Sequence, residues 1–582
     1  MKTESLLARC LLSCGLGLSL HAQAQVPASE RAVLDALYSQ TGGASWERKQ
    51  GWGGASGTEC SWAGLSCESG HVVSLNLELN NLVGTLPTLD GLPKLRRIEL
   101  SFNQLSGSIP NLLGLGDLEE FVVRGNQFSG AIPKLQTLSK LETFVASNNF
   151  LEGSIPQLSG MPELADFAVE VNLLSGEIPQ LTNLPKLRTF IARANYLTGS
   201  IPPLDGLTHL GTFIVDDNRL TGSLPSLAAL PNLVRFEAQF NALTGQIPPL
   251  DACAQLLTFN VGRNQLTGPV PSMHLPATLV RFDVSRNQLS GSLPSLAGQT
   301  ELNLYDISNN QLTGHLPSLL GLSSLGEFNA HNNQLSGPLP SSAELMNLVF
   351  FAASRNQLSG TVPSISGAQN LSEFYVGRNQ LTGSLPPMSD LPVLTYFYAE
   401  SNHLSGEIPD LSSVPTLWDF EVSANQLEGS IPSLTDNINL TYFNASGNRL
   451  SGSIPDLGGL QWLAWFLVND NQLTGNLPSL AGLQMEEFDV SDNLLEGSLP
   501  ASDGVTAITQ FNVANNQLVG SLASTSARAL AGKIQASGAV ICPNRFDIEP
   551  VAEWDLATGR APWYATPSLN NRCDSIFANA FE

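Results

Sequence analysis

The chain has 582 residues, with 51 acidic side chains against 27 basic ones, for a formal net charge of −24. That excess argues against nucleic acid or an anionic membrane as partner, because both are bound through clustered Lys and Arg. A globular chain of this length would normally divide into several cores, yet only 13% of the residues are charged, which leaves room for a repeated framework rich in Asn, Ser, Thr and Gly.

Residues 1–24 read as a secretory signal. Lys2 and Arg9 precede the apolar run from Leu11 to Leu20, and Ala22-Gln23-Ala24 fits a cleavage site of small residues. Leu11-Leu12-Ser13-Cys14 faintly resembles a lipoprotein box, but apolar residues continue beyond it. No later run reaches the ~18 apolar residues needed to span a bilayer. The mature chain is therefore expected to be exported, either extracellular or held in a periplasm or at the cell surface.

Residues 25–72 form the next block. A helix is expected over 29–41, with Ser29 as N-cap, Val33, Leu34, Leu37 and Tyr38 on one face, and Gly42-Gly43 as the stop. Gly51-Trp52, then Cys60 through Cys67, then Gly70-His71-Val72 follow. A metal held by Cys60 and Cys67 lacks a second pair of ligands at suitable spacing, so no metal is expected there.

From residue 73 to 522 the chain repeats. Asn264-Gln265-Leu266-Thr267-Gly268-Pro269-Val270-Pro271 recurs 23 residues later as the stretch from Asn287 to Pro294, and again from Asn310 to Pro317. Steps of 23 place the same asparagine from Asn80 to Asn471; one step of 22 reaches Asn493 and another of 23 reaches Asn516, twenty units in all. Each unit reads L-x-x-F-x-V-x-x-N-x-L-x-G-x-(I/L)-P-x-L-x-x-L-x-x. The L-x-F-x-V alternation puts Phe and Val on one face of a short strand. Strands of successive units then pair in parallel, about 4.8 Å apart. The asparagine amide is placed to satisfy backbone groups where the chain leaves the strand. Seventeen phenylalanines, from Phe121 to Phe511, with Tyr305 in the same column, should stack as one spine rather than form an aromatic cofactor box, and no cofactor is expected.

The L-x-x-L-x-L-x-x-N-x-L frame, continued by L-x-G-x-(I/L)-P, resembles the plant-type leucine-rich repeat subclass. That subclass is found in extracellular domains of plant receptor-like proteins and in polygalacturonase inhibitors. The resemblance covers roughly residues 45–522, with two departures: the unit is one residue shorter, and Phe replaces the second Leu of the frame. It implies an α/β-type repeat fold, a curved leucine-rich repeat solenoid with a parallel sheet on the concave face and a cap at each end. It also implies that Cys60 and Cys67 are disulfide-linked in the N-terminal cap. An exported chain has independent reason to staple such a lid, since the first repeat has no upstream neighbour to cover its apolar end.

Residues 523–573 are expected to form the C-terminal cap, with a helical stretch over 525–536 and Trp554, Trp563 and Tyr564 beyond it. Cys542 and Cys573 make a second pair by count, and Cys253 is left over in a column otherwise filled by Leu and Met, as a buried thiol. Residues 574–582 are an acidic, aromatic tail resembling those of some secreted bacterial proteins.

No H-E-x-x-H, G-x-S-x-G or P-loop is present, and the seven histidines are scattered, so no enzyme is expected. A binding surface is sought on the outward strand positions, six and four residues before each repeat asparagine. Two zones stand out there. Val122, Val145, Ala168, Ile191 and Ile214 follow one another, as strand propensity alone would explain. Phe350, Tyr375, Tyr396, Tyr398, Tyr442 and Trp465 form an aromatic zone, the type of surface that recognises protein, peptide or sugar. Glu237, Asp283, Asp306 and Glu327 lie between the zones, with Arg263 and Arg286 nearby. The expectation is a secreted, monomeric, non-enzymatic protein that binds a protein or peptide through its concave face. Polysaccharide or cell-wall binding is the alternative that the Tyr and Trp residues permit. A structural or ice-binding surface comes third, since Thr does not dominate the outward column.

Overall fold

The computed structural model describes residues 25–563, apart from 272–276, 342–345, 501, 506, 548–549 and 562. The expected secretory signal, Cys573 and the tail lie outside the described residues. The chain divides into two compact units, one ending at Ser175 and one starting at Gly176.

The first unit opens with helix α1 (Ala28–Gln40). Its N-cap is Pro27, not the expected Ser29, and no side chain caps it. Proline holds its own φ near −60° and has no N–H to satisfy, which suits the start of a helix. Glu30 in the first turn is turned inward instead. Its carboxylate accepts from the backbone N–H of Val72 at 2.8 Å and meets His71 Nδ1 at 2.5 Å, which fastens the helix to the first repeat strand. Behind α1, Tyr38 and the rings of Trp46, Trp52 and Trp62 pack with centroids 4.8 to 6.0 Å apart. Strand β1 (Leu65–Glu68) runs antiparallel to β2 (His71–Asn76). The Cys60–Cys67 disulfide ties the turn before β1 to β1 itself, with Cα atoms 5.5 Å apart. From β2 onward the strands are parallel, through Arg97–Glu99, Glu120–Val122, Thr143–Val145 and Asp166–Ala168.

The second unit repeats one pattern. Three-residue strands from Thr189–Ile191 to Gln510–Asn512 pair in parallel and in register, so that Phe259, Phe282, Tyr305 and Phe328 lie on successive rungs. Their rings stack with centroids between 5.4 and 5.9 Å. All are buried, and the chain is a parallel β-solenoid of leucine-rich type.

The repeat asparagines supply the cross-links. Asn287 Oδ1 accepts from the N–H of Leu266 in the preceding repeat at 2.9 Å. Its Nδ2 donates to the carbonyls of Val261 in that repeat and of Val284 and Ser285 in its own. One amide thus bonds four backbone groups, of which the Ser285 carbonyl also accepts from the Arg263 N–H, so that the turn buries none of them unpaired. The short step to Asn493 leaves this pattern intact: its amide still accepts from Leu473 and donates to Val468, Val490 and Ser491. The missing residue is absorbed on the outer arc.

The sheet continues past residue 522. Phe511 pairs with Ala539, and Asn544 takes the rung of a repeat asparagine, accepting from Leu518 and donating to Val513 and Ile541. Its 28-residue distance from Asn516 hid it from a search at 23. Helix α2 (Thr525–Ala531), capped by Ser524, stops at Gly532, short of the expected 536. Helix α3 (Ala552–Thr558) follows, with Trp554 and Trp563 buried over the end of the core. Cys542 is disulfide-bonded. Cys253 is a free, fully buried thiol, and burial pushes its pKa up to about 11.

Two core substitutions should act in opposite directions. Phe282→Ala opens a cavity in the stack and should cost roughly 3–5 kcal/mol, felt mostly by adjacent repeats. Tyr305 carries a buried hydroxyl with no partner among the described residues. Tyr305→Phe should therefore raise stability by about 1 kcal/mol. Chemical denaturation of both variants checks the pair. Iodoacetamide should fail to label Cys253 in the folded protein and label it on denaturation without reductant; a peptide bridging it to a cap cysteine would contradict this.

Candidate ligand-binding face

The six aromatic residues expected at outward positions do lie on the strand face, all of them half-buried. The structure sorts them into two groups. Phe350, Tyr375 and Tyr398 form a run across neighbouring rungs, with ring centroids 5.7 and 5.1 Å apart, and line a groove of about 900 Å³. Tyr396, Tyr442 and Trp465 stand apart from the groove. Tyr396 meets Trp418 edge-on at 6.2 Å, and Tyr442 meets Trp465 at 6.4 Å.

Tyrosine hydroxyls on this face are spent on neighbouring carboxylates. Tyr375 donates to Glu373 at 2.9 Å, Tyr398 to Asp419 at 2.8 Å and Tyr442 to Glu421 at 2.7 Å. Burial, then these hydrogen bonds, hold all three phenols above their ordinary pKa. The rings are fixed in place and present their carbon surface outward.

Along with the aromatic run, the groove is lined by residues that immediately precede the repeat asparagines. The backbone is left-handed there, with φ between +52° and +57° at Arg263, Arg286, Arg355 and Arg378. This conformation costs a side chain other than glycine ~1 kcal/mol, and elsewhere the same column holds Asn148, Asp217, Asn309 or Asn332. All four arginines are exposed and line the groove, with half-buried His331 on the same wall. Burial, then the charges of Arg355 and Arg286, hold His331 below its ordinary pKa.

Asp283 and Asp306 also line the groove, facing each other on adjacent rungs. Asp283 accepts from Ser285; Asp306 accepts from the Ser308 N–H at 2.9 Å and from Asn329 at 3.3 Å. Burial, then the charge of Asp283, raises the Asp306 pKa to about 6.

The strand positions alone did not reveal this wall. Arg263 and Arg286 were legible only as neighbours of the strands, and Arg355, Arg378 and Glu400 were missed. Aligning the residue just before each asparagine would have found the arginines. Trp418 and Trp462, 49% and 68% exposed, were also missed because they sit outside the two outward positions. In the Val and Ile zone, Val122, Val145 and Ile191 are half-exposed, but Ala168 and Ile214 are buried, contrary to expectation. Ala168 is a short side chain beside Val145, and Ile214 sits between Ile191 and Glu237.

A family model described as Leucine Rich Repeat matches residues 94–115 and 439–460. No curated protein matches the chain. Among solved structures, the ectodomain of the Arabidopsis receptor kinase HAESA, in complex with an extended IDA peptide hormone, is 29% identical with a TM-score of 0.75, covering 91% of this chain and 92% of its own. The plant peptide hormone receptor RGFR1 in complex with RGF2 is 29% identical with a TM-score of 0.73, over 86% of both chains. A TDR receptor is also 29% identical, with a TM-score of 0.71, over 81% of this chain and 88% of its own. Among the described residues, no helix is long and apolar enough to cross a membrane.

The raised pKa of Asp306 has a signed consequence. The folded chain keeps a proton that the unfolded chain has released between the ordinary carboxylate range and about pH 6, so this group subtracts stability as pH rises through that window. Asp306→Asn should be stabilising relative to the parent at about pH 7, by at most ~3 kcal/mol, and lose that advantage near pH 4. Denaturant melts of both proteins at the two pH values check the sign.

Proposed function

Because the chain is a leucine-rich repeat protein of the plant type, we propose that it is a secreted, non-enzymatic binding protein that takes an extended protein or peptide segment along its concave strand face. The observation that carries this reading is the groove, lined both by Phe350, Tyr375 and Tyr398 and by arginines. Pinned aromatic rings bury much area with few rotors left to freeze, the usual basis of binding hot spots. The peptide complexes of the receptors similar to this chain favour the same class of ligand.

A second reading has its own observation. Tyr396, Trp418, Tyr442, Trp465 and Trp462 lie outside the groove; Trp418 and Trp462 are exposed, and Trp418 directly precedes Asp419 in the chain. Flat rings next to carboxylate acceptors suit the face of a sugar ring, so this part of the surface fits a polysaccharide.

The two readings separate by variant. Partners recovered from the native environment, and a glycan array, are tested against Tyr398→Ala and Trp465→Ala, with circular dichroism confirming the fold. A protein or peptide ligand should lose ~2 kcal/mol with Tyr398→Ala. A glycan ligand should instead be lost with Trp465→Ala. If neither variant matters while Val145→Ser or Ile191→Ser does, the site lies in the N-terminal repeats and the groove reading is wrong.

A further inference from the structure

Local positive charge is scarce on a chain of net charge −24. On the strand face of the second unit most guanidinium groups are answered by a carboxylate: Arg193 by Asp216, Arg235 by Glu237, Arg281 by Asp283 and Arg378 by Glu400. Arg263 lies over the ring of Phe240, 4.5 Å from its centroid. Arg286 and Arg355 differ. Both are exposed and line the groove, yet among the described residues neither has a carboxylate partner.

The rest of the groove is consistent with two cations left open. The nearest carboxyls are committed to protein donors, Asp283 to Arg281 and Ser285, and Asp306 to Ser308 and Asn329. His331, between the two arginines along the chain of repeats, is held below its ordinary pKa by burial and by their charges. Further along, the same column before the asparagines changes sign, at Asp470 and Asp492. A negatively charged segment is therefore attracted at Arg286 and Arg355 and repelled beyond them, which fixes its position by both attraction and exclusion.

We propose that the groove takes an acidic stretch of an extended peptide, its carboxylates accepting hydrogen bonds from Arg286 and Arg355 while its apolar side chains lie on Phe350, Tyr375 and Tyr398. The inference rests on the groove reading above and names the chemistry of its ligand. A planar guanidinium binds a carboxylate through two parallel N–H donors, stronger and more directional than neutral pairs. A uniform polyanion fits less well, because it has nothing to place on the aromatic wall and meets the negative field of the whole chain.

The test uses the full chain and three short fluorescent peptides in which Leu alternates with Glu, Gln or Lys, acetylated and amidated so that the ends carry no charge. Binding is followed by anisotropy at physiological salt. The Glu peptide should bind about tenfold more tightly than the Gln peptide, with the Lys peptide weakest. Arg286→Gln combined with Arg355→Gln should erase the Glu advantage at unchanged melting temperature. Arg449→Gln removes one such charge from a residue whose side chain meets Gln426 away from the groove, and should preserve it. Equal binding of the Glu and Gln peptides, or equal loss with Arg449→Gln, overturns the proposal. So does arginine-dependent binding of a heparin oligosaccharide without binding of the Glu peptide. If all three peptides bind alike and weaken together with Tyr375→Ala and Tyr398→Ala, the acidic preference is wrong but the groove reading stands. If no peptide responds to either pair of substitutions, both fall.

Discussion

One hydrogen-bonding unit underlies the architecture: the asparagine amide that closes each turn. A solenoid has no central core against which a displaced repeat could be corrected, so each turn must be set by its neighbour. The amide does this by accepting from one repeat while donating to both it and the next. The phenylalanine stack supplies bulk and dryness, but a stack of flat rings tolerates sliding. Backbone carbonyls at 3.0 to 3.1 Å from a single nitrogen do not. Register is thus held by polar geometry inside an apolar column, and the column gives the polar contacts their strength by excluding water.

Much of this was legible in the sequence, for a physical reason. Phe, Val and Asn recur because every rung presents them with the same surroundings, so periodicity reports the inside of the molecule directly. The buried place of Cys253 followed the same logic, whereas the N-terminal disulfide was implied by the family resemblance. What escaped were features that do not recur at the common interval. Asn544 completes the ladder from a cap whose outer arc is longer, and α1 takes Pro27 as its N-cap while Glu30 is turned inward to Val72 and His71. The candidate site was half legible. Aromatic residues announced themselves at outward strand positions, whereas Arg355 and Arg378 occupy a turn position that the strand alternation does not mark.

Those two components of the face answer to different constraints. Tyr375, Tyr398 and Tyr442 each have their hydroxyl bonded to a carboxylate, which ties the polar end of the ring to the protein. The arginines are long, exposed and set on a backbone conformation that glycine or asparagine would occupy with less strain. On the proposed reading, an apolar surface and a charged one would divide the work of recognition: the first would reward shape, the second charge and direction.

The left-handed residue before each asparagine also makes the rim a ruler. Its marks fall about 4.8 Å apart, one per rung, whereas an extended chain laid along it advances about 3.3 Å per residue. The two scales do not coincide. Three rungs, the separation of Arg286 from Arg355, span close to the length of four ligand residues, and side chains four apart leave an extended chain on the same side. Two rungs match three residues, whose side chains leave on opposite sides. On the proposed reading, the spacing of these two arginines, which have no carboxylate partner among the described residues, would work as a vernier: it would admit a ligand whose charges are an even number of residues apart, and put one with an odd separation out of step.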